Sequence, residues 1–291
     1  MPQNKPSKGI QQQAQVLSAF MRAFRTKLLK GKSHHAAVTA QLHDIPEGHS
    51  RMWAKNAKLV MEEGITLLLD QLQAEIVSLD PLTPMIPEER ESYTFNIQLG
   101  RMAMDEHSLS TLMNRYAFPA AQRSPLYNIR VTLPEGMLVI DGTFRVNRWM
   151  TLALHMSNAV AVTAEGMIEL TPIELRSGAI PVGKIMDTLG MELGRFLPQS
   201  SQSAMRFEAG KILVDPTGLF PAPKASGKLI HAEVTGDHLV MTYDNGAPPL
   251  EPLLLEPDAP SYIAMLGHDL LVGKVMMKDI NLQMVPLDPL A

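Results

Sequence analysis

The fold class expected from the sequence is α+β: a highly curved antiparallel sheet wrapped around one long amphipathic helix, with an N-terminal helical region ahead of it. Three observations predict this. From residue 93 onward, apolar and polar residues alternate over run after run, the period of half-buried strands. Between 181 and 197 the period changes to threes and fours, so that Val182, Ile185, Met186, Leu189, Leu193, Phe196 and Leu197 share one helical face. Before residue 80, two more stretches carry helical spacing.

Taken in order, residues 1–9 form a frayed start. A helix is expected from Ile10 to Leu29, with Leu17, Phe20, Met21, Phe24 and Leu28 as its apolar stripe, and Gly31 ends it. A polar loop with His34 and His35 follows. A second helix is expected from about Ser50 to Leu79, because Met61, Ile65, Leu68, Leu72, Ile76 and Leu79 step by threes and fours. Pro81, Pro84 and Pro87 stop it and form a linker. Phe95, Ile97 and Leu99 then alternate as a strand, and a short helix capped by Ser108 follows.

Strands are expected around Ile129 to Leu133, Leu138 to Val146, Leu152 to Val162 and Met167 to Leu175. The long helix from Pro181 comes next, Pro181 suiting a first helical position. Further strands are expected at Met205 to Val214, Lys228 to Val234, Leu239 to Tyr243, Ile263 to Met265, Leu270 to Val275 and Ile280 to Met284. Residues 244–260, with five prolines, read as a crossing loop. The chain thus divides into a basic helical arm (1–45), a helix with a Pro-rich linker (46–92) and a sheet-and-helix domain (93–291).

Composition narrows the function classes. Apolar residues are 45% and aromatics only 5%, while methionines number 20; Met is flexible and polarizable, so it suits either an irregular core or a wall that accepts varied ligands. Cysteine is absent, which removes disulfides, thiolate metal sites and a Cys nucleophile. No run of 18 apolar residues is present, and the first residues lack the apolar core of a secretory signal. As written, the chain is expected to be cytoplasmic or membrane-peripheral, and periplasmic if an export signal has been removed.

Charge is uneven. Residues 1–43 hold seven bases and no acid, and the rest carries 19 bases against 30 acids, a net of −11. Arg22, Arg25, Lys27 and Lys30 are therefore the expected contact with an anionic membrane surface or an acidic partner. The acidic body argues against nucleic-acid binding.

Motifs of chemistry are weak. Gly178 to Lys184 satisfies G-x-x-x-x-G-K, but Ile185 stands where a phosphate loop needs Ser or Thr, and Pro181 removes a backbone donor. The nine histidines show no metal-ligand spacing, so neither metal nor cofactor is expected. Asp105, Glu106 and His107 suit a helix start, and Ser177 lies outside any nucleophile-elbow pattern. Asp141 and Asp215 read as turn or strand-end residues.

Over residues 126–220 the order of alternating strands, Asp141-Gly142 and Glu165-Gly166 turns, the Gly178 to Val182 turn, the long helix and a strand ending at Asp215-Pro216 resembles the tubular lipid-binding (TULIP) superfamily. It is closest to the small bacterial members related to bactericidal/permeability-increasing-type domains. That resemblance implies non-enzymatic binding or transfer of a lipid or other apolar molecule in an elongated tube. The alternation nominates Leu138, Ile140, Phe144, Leu152, Leu154, Met156, Ile185, Met186, Leu189, Leu193, Met205 and Phe207 as its lining. Two rivals stand beside this reading: a scaffold docking partners through its N-terminal helices, and a lipid-acting enzyme using Asp105, His107 or His231.

Overall fold

A computed structural model describes residues 24–26, 32–119, 126–145, 148–149, 151–177, 180–181, 204–208 and 210–286. In chain order these form β1 (Phe24–Thr26), α1 (Lys32–His43), β2 (His49–Glu62), β3 (Ile65–Ser78), β4 (Tyr93–Asp105), α2 (Glu106–Leu112), a π-helical turn (Met113–Ala117), β5 (Leu126–Thr132), β6 (Met137–Arg145), β7 (Thr151–Val162), β8 (Ile168–Ser177) and β9 (Ile180–Pro181). The remainder comprises β10 (Met205–Glu208), β11 (Lys211–Val214), α3 (Pro216–Leu219), β12 (Lys224–Gly227), β13 (Leu229–Thr235), β14 (His238–Asp244), β15 (Tyr262–Gly267), β16 (Leu270–Val272), β17 (Val275–Met277) and β18 (Ile280–Pro286).

Two large sheets with a half-barrel curl, mostly antiparallel, and a two-stranded sheet of β16 and β17 make up the described residues. One large sheet runs β1-β18-β15-β2-β3-β4-β14-β13, and the other β10-β11-β8-β7-β6-β5 with β9 on β8. The lower edge of β4 also takes β12 in parallel, Ile97 opposite Gly227, so β12 and β14 share one strand end to end. A Cβ on Gly227 would stand 2.9 Å from that of Ile97, and only glycine allows this approach. The inward faces of both sheets join in one continuous core, from Met52 and Leu69 on one side to Ile140 and Leu170 on the other.

The expected helix over residues 50–79 is instead the β2-β3 hairpin, turning at Gly64 with φ +81°, a left-handed conformation that favours glycine. The reason lies in one bulge. Ile65, Leu67 and Leu69 are buried with a period of two, then Leu72, Ala74 and Ile76 are buried with the same period displaced by one residue. The displacement occurs where the pairing of β3 with β4 jumps from Leu69 opposite Met102 to Gln71 opposite Arg101, leaving Asp70 as the extra residue, ion-paired with Arg101. An alternation interrupted by one residue contains steps of three and four, so the inward 65, 69, 72 and 76 imitate a helical stripe.

Other expectations are corrected at the N-terminal side. Phe24–Thr26 pairs with β18, so this part of the expected helix from Ile10 to Leu29 is a strand. The rest of that helix falls outside the described residues, and the polar loop expected after it is helical, with His34 and His35 within α1. Among the described residues there is no long amphipathic helix at the centre of the curl, so the α+β expectation gives way to a mostly β architecture. Residues 182–203, which hold nearly all of the helix expected from Pro181, lie outside the described residues. Within 46–92, β2 and β3 sit in the middle of the larger sheet, paired with β15 and β4.

Two devices close the periphery. Val38 and Leu42 of α1 pack with Ile45 on Trp53, Ala264 and Leu266 on the outer face of the larger sheet, and the crossing loop lies over it, Trp53 Nε1 donating to the Leu250 carbonyl at 2.9 Å. The edge of β5 is covered by α2 and its π-helical turn. Leu133 N donates to Glu106 Oε1 at 2.7 Å, Val131 N to Ser110 Oγ at 2.8 Å and Ile129 N to Asn114 Oδ1 at 2.9 Å. Four residues of helix rise about 6 Å and two of strand about 6.6 Å, so every fourth helical side chain meets every second edge amide.

Candidate functional site

A cavity of about 1110 Å³ opens beside the larger sheet. Its floor is the inward face of β2, β3 and β4: Met52, Leu67, Leu69, Leu72, Ile76, Ile97 and Met102. Alternation places these side chains together, since the bulge at Asp70 keeps both halves of β3 pointing inward. Met61, Met85 and Met265 add flexible thioethers to the wall, and Phe220, Ala222 and Pro223 close one side. The volume is at the upper end of that found in small-molecule sites, and the apolar lining matches their usual character.

Polar groups enter from one segment, Glu88 to Ser92. This is the proline-bounded stretch expected to be a linker; it forms the rim because Met85 N bonds to Asp269 O at 3.0 Å and Leu271 N to Met85 O at 2.9 Å. Gly273 N donates to Glu88 Oε1 at 3.1 Å, while Glu88 Oε2 is buried with no partner among the described residues. Arg90 Nη1 donates to the Met61 carbonyl, tying the rim to the β2-β3 hairpin. Tyr93 donates to the Pro87 carbonyl at 3.4 Å, and burial pushes its hydroxyl pKa up.

The nominated residues whose side chains are described lie elsewhere. Leu138 and Ile140 line a second void of about 50 Å³ beneath α2. Phe144, Met156 and Met205 are buried in the core, and Leu154 packs against it, while Leu152 is half-buried. None of these lines the large cavity. Phe207 belongs to β10, its side chain outside the described residues, as are Ile185, Met186, Leu189 and Leu193. Of the basic contact residues, Arg25 has a described backbone in β1; Arg22, Lys27 and Lys30 fall outside.

The cavity wall escapes sequence reading because the spacing over β2 and β3 predicts a helix; only β4 is expected as a strand. The signal available was the Glu62-Glu63-Gly64 turn, followed by alternation from Ile65 to Leu69.

Polar clusters elsewhere are structural in their geometry. Asp105, rather than Ser108, caps α2, its Oδ1 accepting from Ser108 N at 2.7 Å. Burial raises its carboxyl pKa, but the Ser108 bonds, His107 and His238 together outweigh burial and hold it below the ordinary value. His231 stands beside Glu233 at 3.5 Å, and neither it nor Asp105 nor His107 lines either cavity. Asp141 is mid-strand, not at a turn: its Oδ1 meets His155 Nδ1 at 2.7 Å, and His155 Nε2 meets Ser157 Oγ at 3.4 Å. That order of acid, imidazole and hydroxyl is the order of a hydrolytic triad, but Ser157 is 8% exposed and neither cavity reaches it.

Among the described residues, no group of three or more His, Cys, Asp or Glu is placed to hold a metal ion, and no helix is long and apolar enough to cross a membrane. The phosphate-loop-like stretch has only Ile180–Pro181 described, as β9. No protein-family model matches the chain, and neither a curated protein nor a solved structure does.

Proposed function

We propose that the protein binds a lipid or similar apolar amphiphile in the cavity walled by β2, β3 and β4, without chemistry on it. The observation that carries this is the volume of about 1110 Å³ bounded by leucine, isoleucine and methionine side chains. A closed core would have collapsed on such a space, because interiors pack to near-crystalline density and leave few voids larger than water. Apolar walls of this extent hold an acyl chain through area removed from water, worth about 25 cal/mol per Å².

The rim supplies the other half of an amphiphile's needs. Glu88, Arg90 and Ser92 stand at one side of the cavity only, so a bound molecule is oriented with its head at the rim and its tail over Leu69 and Met102. This reading departs from the tube lined by β6, β7 and a central helix. It keeps the cargo class and moves the site.

The test is mass spectrometry of an organic extract from natively purified protein. A single lipid class leaving in a fixed molar ratio supports the proposal. A lipid-free protein that also fails to take up a fluorescent fatty acid or a fluorescent fatty amine overturns it.

A further inference from the structure

The turn between β6 and β7 bears Trp149, 86% exposed. An indole left this far in water is unusual for a side chain whose burial contributes so much apolar contact. Arg148 lies over its ring at 4.9 Å from the centroid, and Arg145, itself exposed, lies over Tyr127 of neighbouring β5 at 5.2 Å. Two guanidinium groups and two aromatic rings therefore share one end of the smaller sheet.

Charge at this end is one-sided. Residues 107–134 and 142–164, which include β5, the turn and most of the flanking hairpin, contain no Asp or Glu, in a chain of net charge −4. The nearest acid along β6 is Asp141, four residues from Arg145 and so roughly 13 Å away along the strand. It faces His155 at 2.7 Å. That separation exceeds the Debye length of about 8 Å at physiological salt, so Asp141 does not neutralise the arginines.

We propose that this hairpin end docks on an anionic lipid bilayer, Trp149 and Tyr127 entering the headgroup layer and Arg145 and Arg148 pairing with lipid phosphates. Aromatic rings with an apolar body and a polar edge settle at the membrane–water interface. Arginine matches phosphate bidentately. A guanidinium already stacked on the ring delivers both groups to the same depth. The contact stands apart from the cavity and does not depend on what the cavity holds.

The chain has two tryptophans, and Trp53 is buried, 5% exposed, so water-exposed emission reports Trp149. The experiment titrates the full chain with neutral phosphatidylcholine vesicles and with vesicles containing phosphatidylglycerol, following emission wavelength and acrylamide quenching. The proposal expects a blue shift and protection from quencher on anionic vesicles only, weakening as salt is raised. Trp149→Phe removes the optical change, and Arg145→Gln and Arg148→Gln each lower vesicle partitioning about fivefold; all three sites are exposed, and circular dichroism checks that the variants fold. No shift on anionic vesicles overturns the proposal, as does an equal shift on neutral ones. Tighter saturable quenching by a single-stranded oligonucleotide that strips the protein from vesicles also overturns it, because bases stack on the same rings.

Discussion

Asp105 shows how much one side chain settles. It ends β4, caps α2 through Ser108 N at 2.7 Å and lies opposite His238 in the β4-β14 ladder. Because its folded pKa is below the ordinary carboxylate value, it contributes stability that is present above the unfolded pKa near 3.9 and is lost as pH falls through the folded value. Asp105→Ala is expected to cost about 1 kcal/mol in urea unfolding at neutral pH. Asp105→Asn keeps the cap and costs a few tenths, but it flattens the acid limb of the stability profile below about pH 4; an unchanged limb would assign the acid sensitivity to other groups. Tyr116 shows the same logic with the opposite sign: burial first, then its hydrogen bond to Glu62, push its pKa up to about 12.

At the scale of elements, the sheet edge and the bulge carry the argument. Ser110 Oγ and Asn114 Oδ1 take the amides of Val131 and Ile129 at 2.8 and 2.9 Å, so β5 does not offer those donors to another chain. Ser110→Ala with Asn114→Ala is expected to cost about 1–3 kcal/mol per orphaned amide and to produce concentration-dependent association through the opened edge, read by denaturant titration and light scattering. The bulge in β3 makes a sharper forecast. Deleting Asp70 keeps Leu72, Ala74 and Ile76, all buried, on the inward face, but throws the pairing with β2, which sets Leu69 opposite Ala57 and Gln71 opposite Lys55, one residue out of register. Loss of cooperative unfolding is the expected result, whereas Asp70→Ala, altering only a half-exposed side chain paired with Arg101, stays within about 0.5 kcal/mol of the parent.

For the whole molecule, the cavity is where packing and function meet. Leu59 is half-buried and lines it, so Leu59→Trp extends into open volume instead of into packed atoms. Overpacking a filled core costs about 1–3 kcal/mol; at this position the thermal midpoint is expected to hold or rise while uptake of a fluorescent amphiphile falls in step with the volume removed. A drop in stability with uptake intact would mean that the ligand occupies another place. Leu138→Trp provides the contrast, because its void is only about 50 Å³ and the added ring has nowhere to go.

The alternating runs beyond residue 93 place many strands of that region: β4 to β8, then β13 to β15 and β18, appear where period two predicts them, the single run expected from Leu270 to Val275 is the β16-β17 hairpin, and the proline-rich crossing loop is the irregular stretch between β14 and β15. Such runs are legible because each side chain's face follows from its own neighbours two residues away. The hairpin of β2 and β3 was not legible. One bulge residue shifts the phase of burial, and a shifted alternation has the same local spacing as a helix. Only partner strands distinguish the two, since the register that makes Asp70 supernumerary is defined by β4 and not by β3. For the same reason the site escaped the sequence: a cavity belongs to side chains from β2, β3, β4 and the 85–93 rim at once, and burial beside empty space looks, along the chain, identical to burial in a packed core.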